Sequence, residues 1–375
     1  MKKGWPTKKL GDVCDFEGGS QPPKSEFIYD EKSGYVRFLQ IRDFGNDKNI
    51  TYIRHSKKNR LCNENDILIG RYGASVGKIL TDKAGAYNVA LMKTIPNLEV
   101  LDQSWFYHFL ISDEFQRPLL NVADRSAQAG FSKDDIYNFP VPVPPLPEQQ
   151  RIVGILDQAF DGIATAKANA EQNLQNARAL FESHLQSVFT QRGAGWVETT
   201  VDKISTNLDS KRVPITKNVR ASGEYPYYGA SGIVDYVADY IFEGDTLLVS
   251  EDGANLLARS TPIAFSVAGK YWVNNHAHIL KFENMATQRF VEFYLGSIKL
   301  DEYITGAAQP KLNQKALNSI PIPIPKSVEV QARIVASVES LQEETQRLES
   351  LYQRKLAALD ALKQSLLHQA FSGQL

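Results

Sequence analysis

Cysteine is nearly absent: Cys14 and Cys62 are the only two in 375 residues. They stand far apart and outside any Cys-x-x-Cys or Cys/His cluster, which excludes a zinc or dithiol motif and predicts buried, reduced thiols. No apolar run approaches the ~20 residues that cross a bilayer. The opening MKKGWPTKKLGDVC puts Gly4 and Pro6 where a signal peptide carries its apolar stretch, so a cytoplasmic protein is expected. An excess of charge of either sign is also missing, since 42 Lys and Arg against 43 Asp and Glu leave a formal net charge of −1. A nucleic-acid surface would have to come from local clustering, for which Lys57, Lys58 and Arg60, then Lys211 and Arg212, are candidates.

The signatures of catalysis are missing as well. An amino-methyltransferase needs an Asn/Asp-Pro-Pro-aromatic loop, whereas the Pro-Pro pairs here are Gln21-Pro22-Pro23-Lys24 and Pro144-Pro145-Leu146. Gly73-Ala74-Ser75-Val76-Gly77-Lys78 approaches a phosphate loop, but it has one residue too few between its glycines and Ile79 where Ser or Thr would hold magnesium. His276 and His278 lie two apart, where strand alternation points both to one face. A metal pair is one reading; with no third ligand spaced to join them, satisfied polar positions are the other. No metal, no cofactor and no catalytic residue is assigned to this chain.

What the sequence does contain is a duplication with a period of about 182 residues. Both halves open on Gly-Trp, at Gly4-Trp5 and Gly195-Trp196, and both carry Glu-x-Asp-x-Leu, at Glu64 to Leu68 and Glu243 to Leu247. Ala127-Gln128 leads to FPVPVPPLPEQQRIV at 139–153, and Ala308-Gln309 leads to IPIPIPKSVEVQARIV at 320–335. The tails pair too, SHLQSVF at 183–189 with SLLHQAF at 365–371. The Pro-x-Pro tracts, unable to continue a helix or to donate from each proline to a ladder, read as extended, stiff hinges.

After each hinge comes a stretch without proline and with little glycine, 148–189 and 329–371, which predicts two long helices. In the first, Ile152, Ala159, Ala166 and Leu180 form one row of a seam, and Leu156, Ile163, Ala170 and Ala177 the other. In the second, the rows are Ile334, Leu341, Leu348 and Leu362, then Val338, Tyr352, Leu359 and Leu366. Neither helix buries its stripe alone, so an antiparallel pair is expected, a rod about 63 Å long at 1.5 Å per residue. The globular stretches between, roughly 1–147 and 194–326, mix short β-like and helical runs and predict an α+β fold with a pseudo-twofold internal repeat.

Two globular segments, each followed by a Pro-rich hinge and a helix that opens near Glu-Gln-Gln-Arg-Ile-Val, resemble the specificity subunits of type I restriction-modification systems over the whole chain. PLPEQQRIVGILD at 145–157 is similar to that family's central spacer, and EVQARIVASVESL with LLHQAFSGQL to its distal one. Asp66 to Lys78, with its Arg71-Tyr72-Gly73-Ala74-Ser75 loop, and Ala86-Tyr87-Asn88-Val89-Ala90-Leu91 are phrases typical of its target recognition domains. The second half departs from the pattern, since Ser250-Glu251-Asp252-Gly253-Ala254-Asn255 exchanges a basic loop for an acidic one.

The resemblance implies target recognition domains at 1–147 and 194–326, a central spacer helix at 148–193 and a distal one at 327–375. It further implies a non-catalytic subunit that reads a bipartite sequence in double-stranded DNA and docks two adenine-methylating modification subunits, which restriction-translocase subunits would join. S-adenosylmethionine, ATP and magnesium would bind those partners. On this reading Arg71 contacts a guanine edge or a phosphate, supported by Tyr72, Ser75 and Lys78. Gln128, Lys133, Asn255, Gln309, Lys311 and Asn313 are further candidates, with helix capping as the competing role for those just before the hinges. The competing function is a two-headed coiled-coil adaptor without DNA specificity. A fragment of a single-chain nuclease-methyltransferase is disfavoured by the missing motifs.

Overall fold

A computed structural model describes residues 5–124, 130–306 and 308–375. The chain divides into two units, Met1–Ala170 with Arg354–Leu375, and Glu171–Gln353. The first unit carries β1 (Thr7–Lys9), α1 (Leu10–Val13), β2 (Cys14–Gly18), β3 (Tyr35–Leu39), β4 (Tyr52–Arg54), β5 (Leu61–Cys62), β6 (Leu68–Gly70), β7 (Ile79–Leu80), β8 (Gly85–Tyr87) and β9 (Leu91–Pro96). Helices α2 (Gln103–Ile111), α3 (Asp113–Ala123) and α4 (Lys133–Ile136) and strand β10 (Pro140–Pro142) follow, and α5 (Leu146–Thr190) leads out. In the second unit come β11 (Trp196–Thr200), α6 (Val201–Ile204), β12 (Thr206–Asn207), β13 (Ser222–Gly229), β14 (Gly232–Val237), β15 (Phe242–Glu243) and β16 (Thr246–Ser250). They are followed by α7 (Asn255–Ala258), β17 (Ala264–Val267), β18 (Lys270–Val273), β19 (Ala277–Lys281), α8 (Met285–Ser297), α9 (Gln314–Ser319), β20 (Pro321–Pro325) and α10 (Val328–Ser372).

The repeat seen in the sequence is a repeat of topology. In the first unit one sheet has the order β2-β9-β6-β7 and another β4-β3-β8-β5; the second unit has β12-β19-β16-β17 and β14-β13-β18-β15. In both, the second sheet contains a single parallel pair, β3 with β8 and β13 with β18. Each unit is therefore α+β, and the short strands follow from how few residues lie between the Gly and Asn turns that punctuate them.

The Pro-x-Pro tracts are extended, as expected, but they are paired strands rather than hinges. Pro140–Pro142 pairs antiparallel with Thr7–Lys9, and Pro321–Pro325 with Trp196–Thr200. A two-stranded sheet asks each strand to bond along one edge only, so prolines are tolerated while Val141, Ile322 and Ile324 between them are buried in the cores.

Both long helices contain 45 residues. Their first turns are fastened by matching glutamines. Buried Gln149 accepts from Asp102 N at 2.8 Å and donates to Val100 O at 2.8 Å and Pro144 O at 2.7 Å. Buried Gln331 accepts from the Thr287 hydroxyl and donates to Pro325 O, both at 2.7 Å. Asp102 also caps α2 by accepting from Ser104 N and Trp105 N, and Asn284 caps α8 by accepting from Thr287 N.

Within the first unit the helices run antiparallel: Lys167 pairs with Asp360 at 2.6 Å, and Arg151 bonds Leu375 O at 3.0 Å. The second unit shows the same sense, with Arg178 on Glu349 at 2.7 Å while Leu185 and Phe189 share a core with Val335 and Val338. Each helix end completes a core. Phe371 packs on Trp105 with ring centroids 4.5 Å apart in the first unit, and Phe189 on Phe290 and Tyr294 at 5.3 and 5.2 Å in the second.

Of the expected seam, Ile152, Leu156, Ile163, Ala170 and Ala177 are buried, and Ile334, Leu341, Leu348 and Leu359 are half-buried. Leu180 and Leu362 are corrections: they are 63% and 47% exposed. A straight α-helix drifts about 20° per seven-residue step, so four steps from Ile152 carry Leu180 about 80° off the face, and Phe181 and Leu185 take over inside. Among the described residues, no helix is long and apolar enough to cross a membrane.

Candidate nucleic-acid interface

In each unit three loops meet at the end of one strand, β6 in the first and β16 in the second. In the first, the chain leaves β6 at Gly70, and Gly70 N donates to Lys78 O at 2.8 Å while Gly77 N donates back to Gly70 O at 3.0 Å, closing a tight loop. Gly70 has no room for a side chain, since a Cβ would stand 2.1 Å from Ser75 O, and Gly73 turns the loop at φ +57°. The Ser75 hydroxyl donates to Tyr72 O at 2.6 Å. The stretch that approached a phosphate loop is thus a strand-to-strand connection between β6 and β7 with no long helix behind it.

Arg71 N donates to Ala90 O at 2.9 Å, and Asn88 Oδ1 accepts from Ala90 N at 3.1 Å, which brings in the second loop. The third is the segment before α4: Tyr72 bridges to Gly130, and Arg71 Nε donates to Phe131 O at 3.3 Å. The Arg71 guanidinium lies over the Tyr72 ring, 5.1 Å from its centroid. Tyr72 and Lys78 are exposed and Arg71 and Ser75 half-exposed, so the loop offers a cation, an aromatic face and a hydroxyl from one turn. Lys133, also exposed, sits over Tyr137 at 5.6 Å, and the Tyr137 hydroxyl bonds Asp15 at 2.5 Å. Gln128 lies outside the described residues.

The second unit repeats this frame with other side chains. Glu251 N donates to His276 O at 2.9 Å, Asn274 Oδ1 accepts from His276 N at 2.8 Å, and Asp252 bridges to Lys311. Glu251 therefore stands where Arg71 does, Asp252 where Tyr72 does, and Leu312 where Phe131 does. The acidic loop is not a free negative patch. Glu251 accepts from Arg212 at 2.6 Å and faces Lys311 at 3.2 Å, and its side chain is only 12% exposed.

Beneath it His278 is buried with Nδ1 2.6 Å from Asp209 and Nε2 2.7 Å from Leu312 O. Nε2 faces a carbonyl and so carries a hydrogen, and Nδ1 faces the Asp209 carboxylate. Asp209, Glu251 and His278 are thus close enough for a shared ion, yet they form an internally satisfied ion network instead. Burial alone would raise the Asp209 carboxyl, but the His278 bond and charge, the Ile279 N–H and Arg212 outweigh it and hold it below the ordinary range. The same balance, led by burial and reversed by Arg212, His278 and Lys311, lowers Glu251. His276 and His278, expected on one face, part company: His276 precedes the strand and is exposed against Asp252, while His278 points inward.

Two further residues named from the sequence, Asn255 and Asn313, have backbone partners, and a third, Gln309, lies on an exposed turn. The Asn255 amide closes its own turn, donating to Thr261 O and accepting from Thr261 N and the Ser260 hydroxyl, all at 3.0 Å. Asn313 caps α9 by accepting from Ala316 N. Gln309 is exposed on the turn whose ends, Thr305 and Lys311, exchange two backbone hydrogen bonds. Sequence reasoning missed Asp209 and Asn274, and it took Arg212 for part of a surface cluster and His276 for half of a metal pair. The available signal was the asparagine shared with Asn88.

Residues 2–176 and 194–355 match the family described as the type I restriction modification DNA specificity domain. A Haemophilus influenzae protein named as a type I restriction enzyme specificity subunit is 36% identical over 141 residues, 38% of this chain and 36% of that one. The MjaVIII specificity subunit of Methanocaldococcus jannaschii is 24% identical over 172 residues, 46% of this chain and 39% of that one. The aligned stretches thus cover less than two thirds of these relatives' own length. Among solved structures, one described under complex assembly and conformational transition of the type I R-M system superposes with a TM-score of 0.82 at 19% identity, covering 100% of this chain and 99% of that one. The HsdS subunit of Thermoanaerobacter tengcongensis gives 0.63 at 18%, covering 100% and 98%. With the family's domain matched in both halves and its fold shared end to end, the chain belongs to the type I restriction-modification DNA specificity family.

Proposed function

We propose that the chain is a specificity subunit that reads a bipartite sequence in double-stranded DNA, one half through each unit. The observation that carries this is the three-loop frame built twice on one backbone pattern with different side chains, as two readers of two different half-sites require. The first reader uses Arg71, Tyr72, Ser75 and Lys78: a half-exposed guanidinium beside an aromatic face suits a guanine edge or a phosphate. Two α helices shared by the units set the separation of the half-sites, and repeated domains address repeated half-sites on one duplex.

The chain acts without catalysing a reaction, in the cytoplasm. It docks two adenine-methylating modification subunits, and restriction-translocase subunits join that complex. S-adenosylmethionine, ATP and magnesium bind those partners. The family membership and the absence of a methyltransferase loop or phosphate loop from the sequence support this division of labour.

The test is co-purification with the cognate modification subunit, followed by methylome sequencing of cells that express both. A bipartite methylated motif, each half changing when its unit is exchanged, is the expected result. A stable protein with no complex, no motif and no affinity for duplex DNA would instead favour the adaptor function.

A further inference from the structure

Because the loops of the two units share their backbone bonds, positions can be matched without reference to side chains. Arg71 N to Ala90 O corresponds to Glu251 N to His276 O, both at 2.9 Å. Asn88 N donates to Leu39 O at 3.1 Å, as Asn274 N donates to Tyr228 O at 3.0 Å, and both asparagines hold the N–H two residues on. The match sets Val89 and Ala90 of the first unit against Asn275 and His276 of the second. One unit carries hydrocarbon there; the other carries an amide and an imidazole.

His276 is arranged rather than merely solvated. Its Nδ1 lies 2.9 Å from both carboxylate oxygens of Asp252, whose side chain is only 16% exposed. A carboxylate accepts, so Nδ1 carries the hydrogen, the ring orientation is fixed and Nε2 is left on the other side. The His276 side chain is 48% exposed. Among the described residues no hydrogen bond engages Nε2 or the Asn275 amide. Three other polar groups of this end are already committed: Glu251 turns in to Arg212 and Lys311, Asn255 closes its own turn and Asn313 caps α9.

We propose that Asn275 and His276 are the base-reading side chains of the second unit, with Asp252 as a positioning residue. The second half-site is then read from the turn before β19, whereas the first is read from the Arg71 loop. The Asn275 amide, a donor beside an acceptor, matches the N6 and N7 edge of adenine, so a purine is the expected target. This rests on the DNA-reading function proposed above.

The test uses the complex with the cognate modification subunit. Methylomes are compared for the wild type, for Asn275→Val with His276→Ala, which installs the first unit's residues, and for Asp252→Ala. The double variant should keep the first half-site and the gap, while discrimination at one or two positions of the second falls roughly ten-fold or more. Asp252→Ala should relax the same positions to a smaller degree with an unchanged melting temperature. A second half-site identical to wild type in the double variant overturns the proposal. So does an equal loss of affinity for every duplex with the motif intact, the mark of a backbone contact. A wild-type complex that yields no bipartite motif overturns the DNA-reading function itself, an outcome seen before any variant is compared.

Discussion

Arg71 and Glu251 occupy one backbone position in the two units, and their neighbours decide what each does. Among the described residues Arg71 donates to Phe131 O from Nε and lies over the Tyr72 ring, and no hydrogen bond engages its two terminal nitrogens, so its guanidinium keeps donors for a ligand. Arg71→Ala should weaken binding of the first half-site by about 1–3 kcal/mol and relax it at one position. Lys78→Ala should weaken all duplexes alike and lower the salt slope by about one, read from titrations at several salt concentrations. Glu251 and Asp209 are held below their ordinary range in the second unit. A depressed carboxyl contributes stability that is full above about pH 4 and is lost as the pH falls through the lower native value. Asp209→Asn should therefore melt lower than wild type at neutral pH and show a flatter decline below about pH 4. The thiols make a third case: burial pushes Cys14 up to about 12 and Cys62 up to about 11. Neither should be alkylated by iodoacetamide at about pH 8 until the chain unfolds.

At the scale of elements, the glutamines at the start of each long helix tie the helix to the globular fold more specifically than its apolar stripe does. Gln149→Leu would leave Asp102 N and Val100 O without their partner and should cost about 1–3 kcal/mol, measured by denaturant unfolding. Leu156→Ala should cost about 2–5 kcal/mol, whereas Leu180→Ala should be close to neutral. The helices themselves, their polarity and most of their inner face were legible in the sequence, because a heptad stripe with no proline has few alternatives. Leu180 was not, because heptad counting ignores the drift of a straight helix. The Pro-x-Pro tracts were rightly read as extended and stiff, but their pairing was not legible because the sequence does not show that a neighbour asks for one edge only. The role of Asp209, Arg212 and His278 was illegible for a related reason: residues 209, 212, 251, 278 and 311 meet only once β12, β16 and β19 are paired.

For the molecule as a whole, duplication explains both the ease and the limits of the reading. Motifs in register gave two units and their order, and the structure adds that the sheets match strand for strand. What the repeat concealed is where the halves diverge, at the side chains of the three loops, since similarity shows what is common and specificity lies in what is not. The same division predicts how the fold fails. Phe371→Ala removes a ring from the first unit's core and should cost that unit about 3–5 kcal/mol, while probes in the second unit, such as Trp272, report little change.

The composition of the first unit has a consequence for synthesis. Its core includes Leu367, Ala370 and Phe371, so although its globular part leaves the ribosome first, it waits for residues made after the whole second unit. The second unit is drawn from one uninterrupted stretch and can close while translation continues. The domain begun first is thus finished last, and a chain stalled short of its end would carry a completed second reader beside an open first one, with Trp105 and Phe109 uncovered for chaperones or proteases to find.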